Sequence, residues 1–392
     1  MRVQVHAADL GGCGHYRLLW PAAALEVADP SLELEVLTPD DGIAESFRGR
    51  ADIPATVAKH GPDTLDRMAR YDLDPRAVVI GELEEVPDVD VVVLQRPLTA
   101  HLVDVVRILQ RHGLTVVVEV DDDFDTIHPR NIAHPTVDPR LDAFRNREHL
   151  TAACELADIV VVTTPALAAR YGSHGRVRIV PNYVPVRYLH VLPRDREPGD
   201  VEVRVGWSGS LDTHPGDLEE TGGTVGAVLR ERGLKFHHIG PPQQERIRRA
   251  LGLHIDTLYA TTGEWLPLLK YPVAMAMVDV GLVPLALSPF NEAKSWLKGL
   301  EFASVGVPFI ASPTGPYRQL HDDHGIGILA ASPRDWRREL SRLLDDADYR
   351  YELGADYRRR ARELTIENHI TEWADAWQDA MVEAANRKSP TP

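Results

Sequence analysis

Residues 89–120 read VDVVVLQRPLTAHLVDVVRILQRHGLTVVVEV, and this stretch decides the fold. VDVVVLQ (89–95) and LTVVVEV (114–120) are short apolar runs rich in Val, the mark of strands buried on both faces of a parallel sheet. Between them HLVDVVRILQRHG (101–113) has amphipathic spacing and ends at Gly113, as a helix stop should. Strand, helix, strand in this order is the repeating element of a doubly wound α/β domain.

The same alternation extends outward in both directions. Upstream lie VQVHA and LELEVL with the amphipathic YRLLWPAAALEVA, and downstream DIVVVTT and VRIVPN. After VPNYVP the polar, turn-rich PRDREPG (193–199) marks a linker. The pattern then restarts with VEVRVGWSG, a helix expected from about Asp217 to Arg232, then KFHHIG, DVGLVPL and VPFIAS. A chain of 392 residues exceeds what one core usually serves. The expectation is therefore an α/β protein of two doubly wound, Rossmann-like domains, 1–185 and 200–365. A last segment, 366–392, carries a helix from Ile366 to Ala385 with Trp373 and Trp377 one turn apart; it is expected to pack back on the first domain and to end in a frayed tail. Open α/β sheets bind ligands beyond the carboxyl ends of their strands, so two facing domains imply a cleft lined by such loops.

Composition narrows the function. Hydrophobic residues make up 44% and charged residues 26%, values of a soluble globular protein. The formal net charge of −16, from 59 acidic and 43 basic residues, disfavours nonspecific binding to nucleic acid or an anionic membrane. Arg246, Arg248 and Arg249, and Arg358 to Arg360, read as solvated helix faces, and the HDDH of 321–324 as surface groups. Two widely separated cysteines, Cys13 and Cys154, without zinc spacing, suit a reducing compartment. The start MRVQVHAADL lacks a signal-peptide core and no run spans a bilayer, so a cytoplasmic location is expected.

Four stretches after strands carry candidate chemistry. In DLGGCGHY (9–16), Gly11, Gly12 and Gly14 permit close backbone approach and aim amides at an anion on a helix N-terminus, or simply make a tight turn; the spacing is not the dinucleotide fingerprint. His15 and Arg17 add polar groups beside it. Asp121, Asp122 and Asp123, followed by Asp125, suit sugar hydroxyls, a divalent metal or a raised pKa, or else an acidic helix start. GWSGSLDTH (206–214) suits phosphate contact through amides and Ser208 or Ser210, or is a structural loop. In KSWLKGLEFASVGVPFIAS (294–312), helical geometry puts Lys294, Lys298 and Glu301 within roughly 60° of one another on a solvated face. Gly306 is the expected stop and 307–312 the following strand, while a plain surface helix with a Lys298/Glu301 pair would carry the same pattern.

KSWLKGLEFASVGVPFIAS, preceded by DVGLVPL, resembles the donor-site core of GT-B glycosyltransferases, especially the retaining group known as family four. GGCGHYR resembles the glycine-rich loop of their acceptor domain, ADIVVVTTPAL with VPNYVP the passage into the hinge, and VGWSGSLDTH the opening of the donor domain. The resemblance thus runs in order along nearly the whole chain. It implies that Glu301 holds the ribose of a nucleotide sugar, UDP-linked by preference, and that Lys294 and the helix start hold the diphosphate. The donor set it suggests is Gly12, Gly14, Arg17, Ser208, Gly209, Ser210, His214, Lys294, Ser295, Lys298 and Glu301. His15, Tyr16 and Asp121 are assigned to the acceptor side, and Asp122, Asp123 and Lys298 to catalysis. No metal and no cofactor beyond the donor is expected. The family's first glutamate, eight positions before the ribose-binding one, is here Ala293, with Glu292 one place off, and the donor loop lacks the family's basic pair. The implied activity is sugar transfer, with retention, to an unidentified acceptor: protein, glycan, lipid, small molecule or modified nucleic acid. A nucleotide-sugar epimerase or hydrolase, or an inactive subunit that only binds a nucleotide sugar or glycan, are the competing readings.

Overall fold

The stretch at 89–120 forms two neighbouring parallel strands and their crossover helix. These are β5 (Val91–Gln95), a helix from Ala100 to Arg111, and β6 (Thr115–Val120), with every residue of both strands buried. The Thr99 side chain accepts from Leu102 N at the helix start, and Gly113 (φ +87°) turns the chain so that Val91 pairs with Thr115. Val105, Val106, Ile108 and Leu109 of the helix pack on Val92, Leu94 and Val116 of the strands. The computed structural model describes residues 1–39, 47–74, 77–194, 202–254, 258–260 and 266–388; most of the expected linker 193–199 and the tip of the expected tail fall outside them.

The chain divides into two units. Unit 1 comprises residues 1–125, 135–181 and 370–392. With β1 (Arg2–His6), β2 (Glu33–Leu37), β7 (Ile159–Val162) and β8 (Val177–Ile179), it forms a six-stranded parallel sheet of order β2-β1-β5-β6-β7-β8. A short antiparallel pair, β3 (Gly49–Ala51) with β4 (Ile80–Leu83), lies outside this sheet. The C-terminal helix, Thr371–Lys388, starts five residues later than expected from the apolar spacing. It packs along β6 and β7, with Arg387 Nε on Asp158 Oδ1 at 2.8 Å and Lys388 Nζ on the Gly113 carbonyl at 2.7 Å.

Unit 2 comprises residues 126–134 and 182–369. Residues 126–134, expected within 1–185, join it through Ile132 N on the Asp212 carbonyl (2.9 Å) and Asn131 Nδ2 on the Thr213 carbonyl (3.1 Å). Its sheet repeats the doubly wound order as β11-β10-β9-β12-β13-β14. These strands are β9 (Val205–Ser208), β10 (Phe236–Ile239), β11 (Leu258–Ala260), β12 (Val280–Val283), β13 (Phe309–Ala311) and β14 (Ile328–Leu329). In each unit the strand order reverses beside the first strand, between β1 and β5 and between β9 and β12, which makes the loops after those strands the ligand-facing positions.

Two helices differ from expectation. The one expected over 217–232 is a 3-10 turn, Leu218–Thr221, then Gly222 and Gly223, both left-handed, then a helix from Thr224 to Glu231; consecutive left-handed residues end the first turn. The helix after the glycine-rich loop of unit 1 contains a π turn over His15–Leu19, with Trp20 N bonded to the His15 carbonyl. Pro21 carries no N–H for the Arg17 carbonyl, and the Trp373 indole supplies the missing donor at 2.8 Å. This bond ties the C-terminal helix into unit 1.

Candidate functional site

The helix expected from Lys294 breaks before it begins. A short helix, Pro289–Ala293, ends at Lys294 in an extended conformation (ψ 160°), and the next helix runs only from Leu297 to Ser304. Lys294 therefore does not share a helical face with Lys298 and Glu301, which corrects the face arithmetic. The turn between them is clamped: Asn182 Nδ2 donates to Ser295 Oγ (2.9 Å) and Trp296 Nε1 donates to the Asn182 carbonyl (2.8 Å). Ser295, expected on the donor, is thus engaged in holding its own loop. Gly306 (φ +76°) follows the helix end as expected.

Around this break, charged and aromatic groups gather after β9 and β12. Lys298 Nζ lies 3.4 Å from His214 Nε2 and 5.3 Å from the centre of the Trp207 ring. Gly209, with φ +145°, is what admits it: a methyl group there would stand 2.8 Å from Lys298 Nζ. His214 Nδ1 meets Asp217 Oδ2 at 2.9 Å, and Asp217 Oδ1 accepts from Ala286 N (2.9 Å) and Asn291 Nδ2 (2.8 Å). Lys294 Nζ sits 4.3 Å from the centre of the Phe290 ring. Glu301, expected on a solvated face, is only 5% exposed, and Tyr271 and Tyr317 feel its charge.

The electrostatics of this cluster follow from burial. Desolvation, then the neighbouring Lys298, pull the His214 pKa down to about 4, so its imidazole is neutral, with Nδ1–H on Asp217 and the Nε2 lone pair toward Lys298. Burial also draws Lys298 down to about 8, with Asp217 and Glu301 pulling the other way and Lys294 reinforcing the fall. Burial penalises the Asp217 carboxylate, yet the His214 and Ala286 hydrogen bonds and nearby Lys294 hold its pKa below the ordinary value. Tyr271 is pushed up by burial and by Glu301, so its hydroxyl keeps its proton; it bonds to Ser208 Oγ.

Five amides of the loop 208–214, expected to contact phosphate, are bonded within the unit. The amides of Gly209, Leu211, Asp212, Thr213 and His214 bond to Ile239, Gln243 and Ser210 within the unit. Ser208 and Ser210 are buried, the second accepting from Gln243 Nε2 at 3.0 Å. In this loop His214 meets Lys298, and Gly209 leaves space beside that contact. Glu292, the acid nearest the family's first glutamate, accepts from Gly315 N at 2.8 Å and so closes the start of the helix Gly315–His324; Ala293 is buried.

Unit 1 holds the other candidates, and most are engaged there. Asp9 Oδ1 accepts from Gly11 N (2.7 Å) and Gly14 N (3.1 Å), so the anion at this helix start is the chain's own carboxylate. Gly14 is required because any side chain would overlap the Asp9 carbonyl. Gly12 and Gly14 belong to unit 1, whereas the His214 and Lys298 cluster belongs to unit 2. Arg17, expected as a source of positive charge, is wholly buried: its Nε bonds Glu119 Oε1 at 2.6 Å, one terminal nitrogen bonds the Val180 carbonyl at 2.7 Å, and the guanidinium lies 5.5 Å from the Trp373 ring centre. Burial raises Glu119 to about 7 although Arg17 pulls it back. Tyr16 is also buried, edge-on to Trp20, and His15 Nδ1 lies 3.0 Å from the Gly11 carbonyl.

The aspartate run divides. Asp123 is buried, paired with Arg170 (3.3 Å), and accepts from Asp125 N (3.0 Å), so its oxygens hold the loop. Asp125 pairs with Arg147 at 3.1 Å. Asp121 lies 3.9 Å from Arg96, which also pairs with Asp9 and has a left-handed backbone (φ +49°). Asp122 is the member of the run left half-buried. Among the described residues no group of three or more metal-ligating side chains forms a cation site. The Asp217, Asn291 and Trp207 contacts and the Arg96–Asp9 pair were missed by sequence reasoning; the spacing of His214 and Asp217 was the one available signal.

No protein-family model matches the chain. It is similar to D-inositol 3-phosphate glycosyltransferase of Salinispora tropica, 30% identical over 153 residues, which is 38% of this chain. The match spans 30% of that relative's length. Among solved structures, sucrose-phosphate synthase of Thermosynechococcus elongatus superposes with a TM-score of 0.62 at 16% identity, covering 97% of this chain and 99% of that one. HepE of Anabaena, in complex with UDP, gives 0.58 at 11% identity over 95% and 98%. The fold is that of the GT-B glycosyltransferases, with two Rossmann-like units.

Proposed function

We propose that the protein is a glycosyltransferase that takes a sugar from a nucleotide sugar, a UDP-sugar by preference, and passes it with retention to an acceptor hydroxyl. The observation that carries this reading is the cluster at the switch point of unit 2, where Lys298, Lys294 and neutral His214 lie beside buried Glu301. When the bond from the anomeric carbon to the diphosphate breaks, the electron pair leaves with the diphosphate oxygen. Lys298 and Lys294 neutralise that growing charge, a preorganised electrostatic effect worth several kcal/mol, about 3. His214 keeps Lys298 in place without cancelling its charge, because the contact is to a neutral nitrogen. Glu301 receives the ribose diol through its two oxygens. A cation–π contact with Phe290 holds the Lys294 ammonium on the turn that leads into the helix of Lys298.

In this reading unit 1 serves the acceptor, through Asp122, His15 and Asp121, and the transferase needs no metal and no cofactor besides its donor. A cytoplasmic location, where nucleotide sugars and reduced thiols such as Cys13 and Cys154 occur together, fits it. Among the described residues no helix is long and apolar enough to cross a membrane. One observation favours a second reading, an inactive subunit that binds the donor only: Ala293 replaces the family's first glutamate, and Glu292 is committed to Gly315. Nucleotide release from a panel of nucleotide sugars, measured with and without sugar, polyol and glycan acceptors, tests the proposal. Acceptor-dependent release supports transfer, acceptor-independent turnover supports hydrolysis or epimerisation, and saturable binding with no turnover supports the inactive subunit.

A further inference from the structure

The donor cluster of unit 2 carries no net charge of its own. Lys294 and Lys298 bring two ammonium groups, Asp217 and Glu301 two carboxylates, and His214 is neutral. Each phosphate of a nucleotide sugar adds a negative charge, and phosphoryl groups are held by cations clamped around them. A diphosphate entering this cluster therefore calls for a further cation, and the segment 126–134, which belongs to unit 2, presents one.

This segment packs on the loop that carries His214. Ile132 N donates to the Asp212 carbonyl (2.9 Å), and buried Asn131 donates through Nδ2 to the Thr213 carbonyl (3.1 Å) while its Oδ1 accepts from Ala133 N (2.9 Å). Asn131 N donates back to the His128 carbonyl at 2.8 Å and Arg130 N to His128 Nδ1 at 3.0 Å, so the backbone around Arg130 is fixed. Burial and then Arg130 lower the His128 pKa while Asp217 pulls it up, which puts this turn within electrostatic reach of the cluster. The Arg130 side chain goes further in. A methyl group on Gly216 would stand 3.3 Å from Arg130 Nη2 and 3.6 Å from Ala286 Cβ, so the guanidinium lies over Gly216, the residue before Asp217. Gly216, with φ +92°, leaves that space open. The Asp217 oxygens are turned to His214, Ala286 N and Asn291. Arg130 is exposed and makes no ion pair among the described residues, in contrast to Arg17 and Arg170.

We propose that Arg130 is a donor-binding residue, whose guanidinium holds the diphosphate of the nucleotide sugar beside Lys298 and Lys294. The planar fork of an arginine matches two phosphate oxygens, and a pinned backbone lowers the entropy lost in making that contact. This assignment rests on the reading of the cluster as a donor site. It adds to that site a residue from a segment that the chain places far from the donor loop in sequence.

UDP, ADP and GDP, each with its nucleoside, are the probes, read on the full chain by calorimetry for the diphosphates and by ligand-observed NMR for the nucleosides. Arg130→Met should weaken the diphosphate that wild type binds by about tenfold or more, as loss of a charge-assisted contact does. The nucleoside should behave alike with wild type and variant, and the melting temperature should not move, because the side chain is exposed. Arg130→Lys, which keeps the charge without the fork, should bind the diphosphate more tightly than Arg130→Met. Unchanged diphosphate affinity in Arg130→Met overturns the assignment, as does an equal loss for diphosphate and nucleoside, or an equal loss in Arg130→Lys and Arg130→Met. A wild type that binds none of the three diphosphates overturns the donor reading itself and this assignment with it, so the two failures are distinguishable.

Discussion

The two units share a strand order but treat charge in opposite ways at the carboxyl ends of their strands. In unit 1 four pairs of opposite charges meet at contact distance: Arg17 with Glu119, Arg96 with Asp9, Asp123 with Arg170, Asp125 with Arg147. In unit 2 Lys298 meets a neutral imidazole, and its pKa falls to about 8 because burial is not offset by a close carboxylate. In both units several loop amides bond within the unit, Gly11 and Gly14 to Asp9 in the first and Gly209 to the Ile239 carbonyl in the second, so the glycines alone do not separate them. What separates them is whether side-chain charge is spent on the fold. A paired, buried ion contributes structure, while an incompletely neutralised cation is available to an incoming anion.

That contrast is easiest to break at Arg17. Arg17→Met leaves Glu119 buried without its partner and should cost about 3–5 kcal/mol of stability in urea unfolding, with donor affinity of the folded fraction unchanged. Loss of donor affinity instead would return Arg17 to the donor set. Lys298→Met should behave the other way: stability nearly intact, turnover down about 10²- to 10³-fold, and donor affinity changed much less, because the diphosphate charge grows as the sugar leaves. A fall in affinity alone, with turnover intact, would mean ground-state binding.

The aspartate run sharpens the comparison within unit 1. Asp122→Asn should lower transfer about a hundredfold with donor binding intact, as loss of a group that orients or deprotonates an acceptor does. Asp123→Asn should instead cost stability through Arg170. Activity is expected to survive EDTA; its loss and recovery with magnesium or manganese would reassign the run to a metal. In unit 2, Glu301→Ala should weaken donor binding by about 1.5–3 kcal/mol in calorimetry, the usual worth of a hydrogen bond to a charged group. Unchanged affinity would remove Glu301 from the ribose.

How much of this was legible in the sequence depends on the range of the interaction. Strand runs such as VDVVVLQ and LTVVVEV are set by burial on both faces, a property of the run itself, and they appear where the pattern put them. That Lys298 and Glu301 share one helix was legible in KSWLKGLE. The break at Lys294 was not, because it depends on Asn182, distant in sequence, gripping Ser295 and Trp296. Arg17 and Asp123 were misjudged for the same reason: a charge beside a strand end looks available until Glu119 or Arg170 is brought to it. Asp217 escaped notice because its partners, Ala286 and Asn291, follow β12, beside β9 in the sheet but three strands later in the chain.

The smallest effect concerns His214, the neutral link between the two halves of the comparison. Its pKa falls from an ordinary 6.5 to about 4 in the folded protein, through desolvation and then Lys298. In the window between these values the unfolded chain holds more protons than the folded one, so this group's contribution to stability is full above pH 6.5 and is lost as the pH falls toward 4. Asp217 loses its charge only below this window and Lys298 only above it, so neither masks the effect. His6 and His237 fall to about 4 as well, but they are common to wild type and variant and cancel in the difference. His214→Gln keeps a hydrogen-bonding side chain and removes the titration. Between pH 7 and pH 5, wild type should therefore lose about 1–2 kcal/mol more unfolding free energy than His214→Gln. Parallel curves for the two proteins would mean that His214 is protonated in the fold. Lys298 would then face a second cation, and the distinction between a spent charge in unit 1 and an available one in unit 2 would fall.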